Sequence, residues 1–201
     1  VYNTAPWYSS RGSIKSIKST GRIILNRKSA GLFYGCKNLT SLNGVQDWDT
    51  SQVTDLNHTF DNCSSLTSLE PLTNWDTSKV TNLVQTFQYC SSLTSLEPLT
   101  NWDTSKVTGL YEAFLSCSSL TSLEPLTNWD TSKVRNLNGI FYNCSSLTSL
   151  KGLEDWDTSK VTGLNEAFYG CSGLTDASVI QNWNLIKVKD WNAEFDLCNK
   201  L

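Results

Sequence analysis

An α/β solenoid, built from stacked coils that each hold a short parallel strand and a short helical turn, is the fold class this chain predicts. Three observations predict it. Cysteine stands at Cys36, Cys63, Cys90, Cys117, Cys144, Cys171 and Cys198, and every interval is 27 residues. All seven phenylalanines, from Phe33 to Phe195, lie three residues before a cysteine, and six of the eight tryptophans, Trp48 to Trp183, keep the same period. Apolar positions recurring every 20 to 50 residues, roughly, mark units that bury their hydrophobic faces against one another. Six such units run from Cys36 to Cys198.

Within the unit from Cys63 to Tyr89, Leu66, Leu69 and Leu72 mark the first half. The Leu-Thr-Ser-Leu segment predicts a short strand stacked on its copies about 4.8 Å apart. Pro71 limits that strand, because proline has no N–H for a ladder. In the second half Val80, Leu83, Phe87 and Cys90 recur at i, i+3, i+7 and i+10, one face of a helix. Asp76 precedes them as a capping residue, its carboxylate accepting from backbone N–H groups further on.

The ends differ from the middle. Residues 1–31 carry Ile14, Ile17, Ile23, Ile24 and Leu25 but no Trp-Asp-Thr-Ser element, and are expected to cap the solenoid. Residues 32–201 form the six-unit solenoid, its last unit degenerate: Asn184, Leu185 and Ile186 replace Asp-Thr-Ser, and Trp191 stands where leucine had been. No linker divides the chain, so one domain is expected.

A net charge of −3 is too mild to imply a nucleic-acid or membrane-surface partner. No apolar run approaches the ~18 residues that span a bilayer, and the opening VYNTAPWYSSRG lacks a signal-peptide pattern. These features predict a soluble piece, one that a longer chain could contain. A single histidine, His58, and no methionine remove most metal and acid–base schemes. No Ser–His–Asp set, paired acid or phosphate loop is present, so neither an enzyme nor a cofactor is expected.

Each stacked residue type has a chemical reading and a plain one. The cysteines lack Cys-x-x-Cys metal spacing, and parallel Cβ vectors on adjacent coils suit buried thiols better than disulfides. Asp49, Asp76, Asp103, Asp130 and Asp157 offer one carboxylate per coil, which fits turn capping better than a calcium site needing six to eight oxygens. Lys79, Lys106, Lys133 and Lys160 follow at three residues and offset the stacked charge. The Thr40 to Thr175 column is read as cross-strand pairing in preference to an ice-binding face. Glu70, Glu97 and Glu124 form a solvated row or a site for a basic partner. His58 is read as a surface residue of the first helical segment.

The elements CSSLTSL, NWDTSKVTNL and the aromatic before the next cysteine, over residues 32 to 198, resemble the BspA-like leucine-rich-repeat surface proteins, including repeats of mycoplasma-type surface lipoproteins. APWYSSRGSIKSI, residues 5–17, resembles the segment that precedes such repeats. The chain departs from the pattern at Leu56 and Thr59, where the family usually has methionine, and at Glu70-Pro71, which lengthens Ser-Leu-Asp-Leu-Ser by one residue. The resemblance implies a leucine-rich-repeat solenoid, a bacterial cell-surface or secreted protein used in adhesion and protein–protein contact, without enzymatic activity.

Comparison of the units with one another separates fixed from free positions. Variation concentrates at Asn57, His58, Asp61 and Asn62, at Val84, Gln85, Gln88 and Tyr89, and at the matching positions of later coils, including Ser116, Asn138, Gly139, Asn165 and Gly170. These offsets place them on one outward helical face. The candidate partner-binding residues are Gln85, Gln88, Tyr89, Tyr111, Glu112, Leu115, Tyr142, Asn143, Glu166 and Tyr169. Tyrosine gives large contact area at low rotamer cost. The expected partner is a host or neighbouring-cell surface protein or glycan, not a nucleic acid, with no membrane insertion by this segment. Neutral drift of exposed positions, use of the strand face through Thr67, Ser68 and Glu70, and a spacer role in a large surface protein stay open as alternatives.

Overall fold

The computed structural model describes residues 5–190 and 192–201, so Trp191 lies outside the described residues. Its backbone winds as a right-to-left stack of 27-residue coils whose Cys, Leu, Val, Phe and Trp columns all point inward. Phe33, Phe60, Phe87, Phe114, Phe141 and Phe168 are fully buried. Successive rings stack with centroids 5.2 to 5.9 Å apart, and Phe195 continues the column at 5.4 Å. Trp7 lies against Phe33 at the other end, 5.6 Å away. Each indole of the Trp column packs on the phenylalanine ring of its own coil, as Trp129 does on Phe114 at 5.9 Å.

The polar atoms of these buried residues are spent on the preceding coil. Trp75, Trp102, Trp129, Trp156 and Trp183 donate Nε1–H to the carbonyl 30 residues upstream. Trp48 has no such repeat behind it, and its buried Nε1 finds no partner among the described residues. The cysteine thiols do the same from Cys63 onward, each donating to a phenylalanine carbonyl.

The expected strands are shorter than the sequence implied. Strand β1, Ser16–Lys18, pairs in parallel with β2, Ser41–Asn43, in the register Ile17 to Leu42. The equivalent segments of the next three coils do not pair; each passes into a 3-10 helix, Glu70–Leu72, Glu97–Leu99 and Glu124–Leu126. Proline in the first turn is the cause, together with Ser68, Ser95 and Ser122, whose hydroxyls accept the N–H of the glutamate two residues on. Where Gly152 replaces proline, at φ 106°, a parallel bridge returns between Ser149 and Asp176. A Cβ on Gly152 would lie 2.3 Å from the Leu123 carbonyl oxygen.

The second half of each coil is not the helix that its apolar spacing predicts. Val80, Leu83, Phe87 and Cys90 are buried as expected, but two residues per coil, four apart, lie in the left-handed region: Gln85 and Tyr89, Glu112 and Ser116, Gly139 and Asn143, Glu166 and Gly170. A helix cannot pass through them. The run is instead a chain of tight turns in which alternate residues bond outward. Leu83, Gln85, Phe87 and Tyr89 donate N–H to the carbonyls of Gly109, Tyr111, Ala113 and Leu115 on the next coil, at 2.9, 2.9, 2.9 and 2.7 Å. The backbone ladder that joins the coils therefore runs along this side, continued by single parallel bridges from Asp55 through Asn82, Gly109 and Asn136 to Gly163.

At the far end of the column formed by Thr59, Thr86, Ala113, Ile140 and Ala167 stands Glu194, also buried. Its Oε1 has no hydrogen-bond partner among the described residues, and burial pushes its carboxyl up. Glu194→Ala, which installs the residue already present at 113 and 167, is expected to raise stability by about 1 kcal/mol or more. Urea unfolding of the two proteins checks this.

Candidate functional site

The left-handed residues build the outer face. At such a position the side chain leaves the turn sideways, so a column of them 27 residues apart forms a ridge. One ridge is Gln85, Glu112, Gly139 and Glu166; the other is Asn62, Tyr89, Ser116, Asn143 and Gly170. Tyr111, Asn138 and Asn165 flank the first ridge, and Gln88, Leu115, Tyr142 and Tyr169 lie between the two in sequence.

All ten candidate residues fall on this one surface. Seven of them, Tyr89, Tyr111, Glu112, Leu115, Tyr142, Asn143 and Glu166, line a single recess of ≈ 490 Å³. Gln85 and Gln88 adjoin it by donating Nε2–H to Oε2 of Glu112, at 2.7 and 3.0 Å. Tyr169 adjoins it by stacking on Tyr142, with ring centroids 4.8 Å apart. The outward expectation needs correction at two of the ten. Gln88 and Leu115 are buried, at 6% and 8% exposure, because the turn folds their side chains against the neighbouring coil. Tyr89 is the exposed one, at 47%.

The recess is acidic and aromatic. The Tyr111 hydroxyl also hydrogen-bonds the Glu112 carboxylate, which, with burial and the charge of Glu166, pushes the phenol up to about 12. Burial pushes Tyr142 up as well, with Tyr169, Glu166 and Tyr89 adding to it. Both phenols are therefore neutral donors at physiological pH. Ser116, Asn138, Gly139 and Asn165, which sequence comparison marked as variable without making them candidates, complete the lining.

A second concavity was missed altogether. A groove of ≈ 830 Å³ crosses six coils between the Asn62 ridge and the serine that follows each cysteine, Ser64, Ser91, Ser118, Ser145 and Ser172. These serines are invariant among the units, so a search for variation passes over them. Their hydroxyls are held by the solenoid itself: Ser91 donates to Ser64 O and Ser118 to Ser91 O, each at 3.4 Å. Tyr89 lines both hollows.

The other stacked groups serve the fold. Asp49, Asp76, Asp103, Asp130 and Asp157 each accept the N–H of the serine two residues on, at 2.9 to 3.1 Å. Those serine hydrogen bonds hold the carboxyls below their ordinary range. Lys106 and Lys133 bond the carbonyls of Ser78 and Ser105 on the coil before. Among the described residues no group of three His, Cys, Asp or Glu side chains is placed to hold a metal. His58 is half-buried and not a plain surface residue: its Nδ1 lies 2.6 Å from Asp61 Oδ2, and Tyr34 meets the ring edge-on. Glu124 pairs with Lys151, while Glu70 and Glu97 are solvated. No helix among the described residues is long and apolar enough to cross a membrane.

Stacked coils with inward leucine, phenylalanine and cysteine columns define a leucine-rich-repeat solenoid. Its 27-residue unit is that of the BspA-like kind. The chain belongs to the family described as Mycoplasma protein of unknown function, DUF285, whose model matches residues 28–146 and 108–201. Among solved structures, the leucine-rich-repeat protein of T. pallidum shares the fold at a TM-score of 0.55 and 21% identity, over 93% of this chain and 83% of that one. A leucine-rich cell surface protein from Faecalibacterium prausnitzii aligns over 80% of this chain and 50% of its own length, with 25% identity and a TM-score of 0.43. No curated protein matches the sequence.

Proposed function

We propose that this chain is a non-catalytic recognition module of a bacterial cell surface, one that holds a protein or glycan of a host or neighbouring cell against its tyrosine-bearing face. Residues 1–31 serve as its cap and residues 32–201 as the solenoid. The observation that carries the reading is the coincidence of diversity and shape: the residues that differ most between otherwise copied coils are the ones that line the acidic, aromatic recess. Drift would scatter differences over every exposed position, whereas the Asp-Thr-Ser-Lys turns are exposed and nearly constant. A rigid scaffold also lowers the ordering cost of binding, because the ridge side chains are already fixed by the ladder beneath them.

The test is binding of the purified chain to a panel of extracellular-matrix proteins and glycans, beside the variant with Tyr89, Tyr111, Tyr142 and Tyr169 all changed to alanine. The expected result is saturable binding that the variant loses while keeping its circular dichroism spectrum. Binding kept by the variant places recognition elsewhere, on the serine groove or the Thr67 face. Saturable binding to nothing favours a spacer that displays another domain.

A further inference from the structure

The recess owes its existence to one missing side chain. In the ridge Gln85, Glu112, Gly139, Glu166, three members project a long side chain and the glycine projects none. A Cβ built on Gly139 would already lie 3.0 Å from Cγ of Glu112 and 3.8 Å from Cδ1 of Leu115, so any residue longer than alanine would occupy the hollow. The gap is flanked by two carboxylates on coils 54 residues apart, Glu112 and Glu166. At about 4.8 Å per coil their backbones stand about 10 Å apart. That leaves room for one flat group between them.

The polar inventory of the hollow is one-sided. Glu112 is held in place by the neutral donors Gln85, Gln88 and Tyr111, which orient its carboxylate without cancelling its charge. Glu166 has no hydrogen bond or ion pair among the described residues, and Oδ1 of Asn165 in the same wall is buried without a partner. No lysine or arginine lines the recess. Tyr111 and Tyr142 supply aromatic walls, and Tyr142 is backed by Tyr169. Acceptors unmatched by donors, two carboxylates and π faces are the complement of a cation. A guanidinium fits better than an ammonium, because it is planar, stacks on aromatic rings and carries five donors in a fork that can serve two carboxylates at once.

The geometry points to an arginine side chain of a partner protein, inserted at Gly139 between Glu112 and Glu166 and sandwiched by Tyr111 and Tyr142. This rests on the reading of the tyrosine face as a recognition surface and names the chemistry at its centre. The probe is N-acetyl-arginine methylamide, titrated into the intact chain and followed by NMR of the tyrosine rings, beside the lysine analogue and the uncharged citrulline analogue. Saturable shifts of Tyr111 and Tyr142 are expected with the arginine compound, weakening as salt is added. At least tenfold weaker binding is expected for lysine, and none for citrulline. Glu166→Gln, which breaks no contact of the fold, is expected to weaken arginine binding about tenfold, and Gly139→Gln, which copies the residue at 85, to abolish it. Equal binding by citrulline or lysine, no saturable shift, or indifference to both substitutions would each overturn the assignment. A macromolecular ligand lost by the fourfold tyrosine variant yet unaffected by Glu166→Gln would leave the recognition face standing and remove arginine from it.

Discussion

Phe114→Ala is expected to lower the stability of the chain by about 4 kcal/mol, at the upper part of the range for deleting a buried phenylalanine. Phe114 is fully buried and sits mid-column, with Phe87 and Phe141 each 5.6 Å away and Trp129 5.9 Å away. Its removal leaves a cavity and forfeits stacking on both faces, each contact adding about 0.5–1.5 kcal/mol beyond area. The coil cannot collapse to refill the space, because its N–H groups at Glu112, Phe114 and Ser116 are pinned to the coil beyond. Phe195, partly buried and stacked on one side by Phe168, is the control. Phe195→Ala should cost less than half as much in urea unfolding. Equal costs would mean that the column does not act as a continuous core.

Raising the pH is expected to unfold the chain well before its backbone chemistry is threatened. Burial pushes the thiol of Cys36 up to about 11 and that of Cys171 up to about 12. Cys63, Cys90, Cys117 and Cys144 are pushed up further in the same direction, again chiefly by burial. An unfolded chain exposes thiols that ionise near 8.5, whereas the folded chain keeps them protonated. The folded-state pKa is the higher, so the stability they contribute is complete below about pH 8.5 and falls as the pH climbs toward the folded values. Each thiol costs up to about 1.4 kcal/mol per pH unit in that window, and six together exceed the 5–15 kcal/mol of an ordinary domain. Under reducing conditions the unfolding midpoint is therefore expected between about pH 9 and 11. It should move upward when Cys117 and Cys144 are both replaced by alanine. At pH 8 a thiol-reactive disulfide should label none of the buried cysteines until denaturant is added. Rapid labelling of the native protein would show that the thiols are not sealed in the coil interior.

The columns were legible in the sequence because burial is all that a 27-residue period encodes. Phe87, Cys90, Leu83 and Val80 face inward whether the chain between them is helical or turned, and the inward set came out correctly. What the period does not encode is the sign of φ. Gln85, Tyr89, Glu112 and Ser116 occupy left-handed positions without advertising it. A sign was nevertheless present: the same two columns hold Gly31 and Gly139, and Gly35, Asn62, Asn143 and Gly170, residue types enriched at positive φ. Read together across the coils they exclude a helix. The strands failed for a related reason, since Pro71, Pro98 and Pro125 end the pairing and do not merely shorten it. Most of the candidate site was visible as variation, but the glycine that opens it was not, because a hollow is made by the residue that contributes nothing to it.

The central claim is that recognition belongs to the tyrosine face and not to the Thr67 face or the serine groove alone. Hydroxyl-radical footprinting of the chain with and without a saturating partner from the binding panel tests it most directly. Protection of Tyr89, Tyr111, Tyr142 and Tyr169, with Trp129 and Leu123 unchanged as buried references, is the predicted result. Unchanged labelling of all four tyrosines in a saturated complex would contradict it.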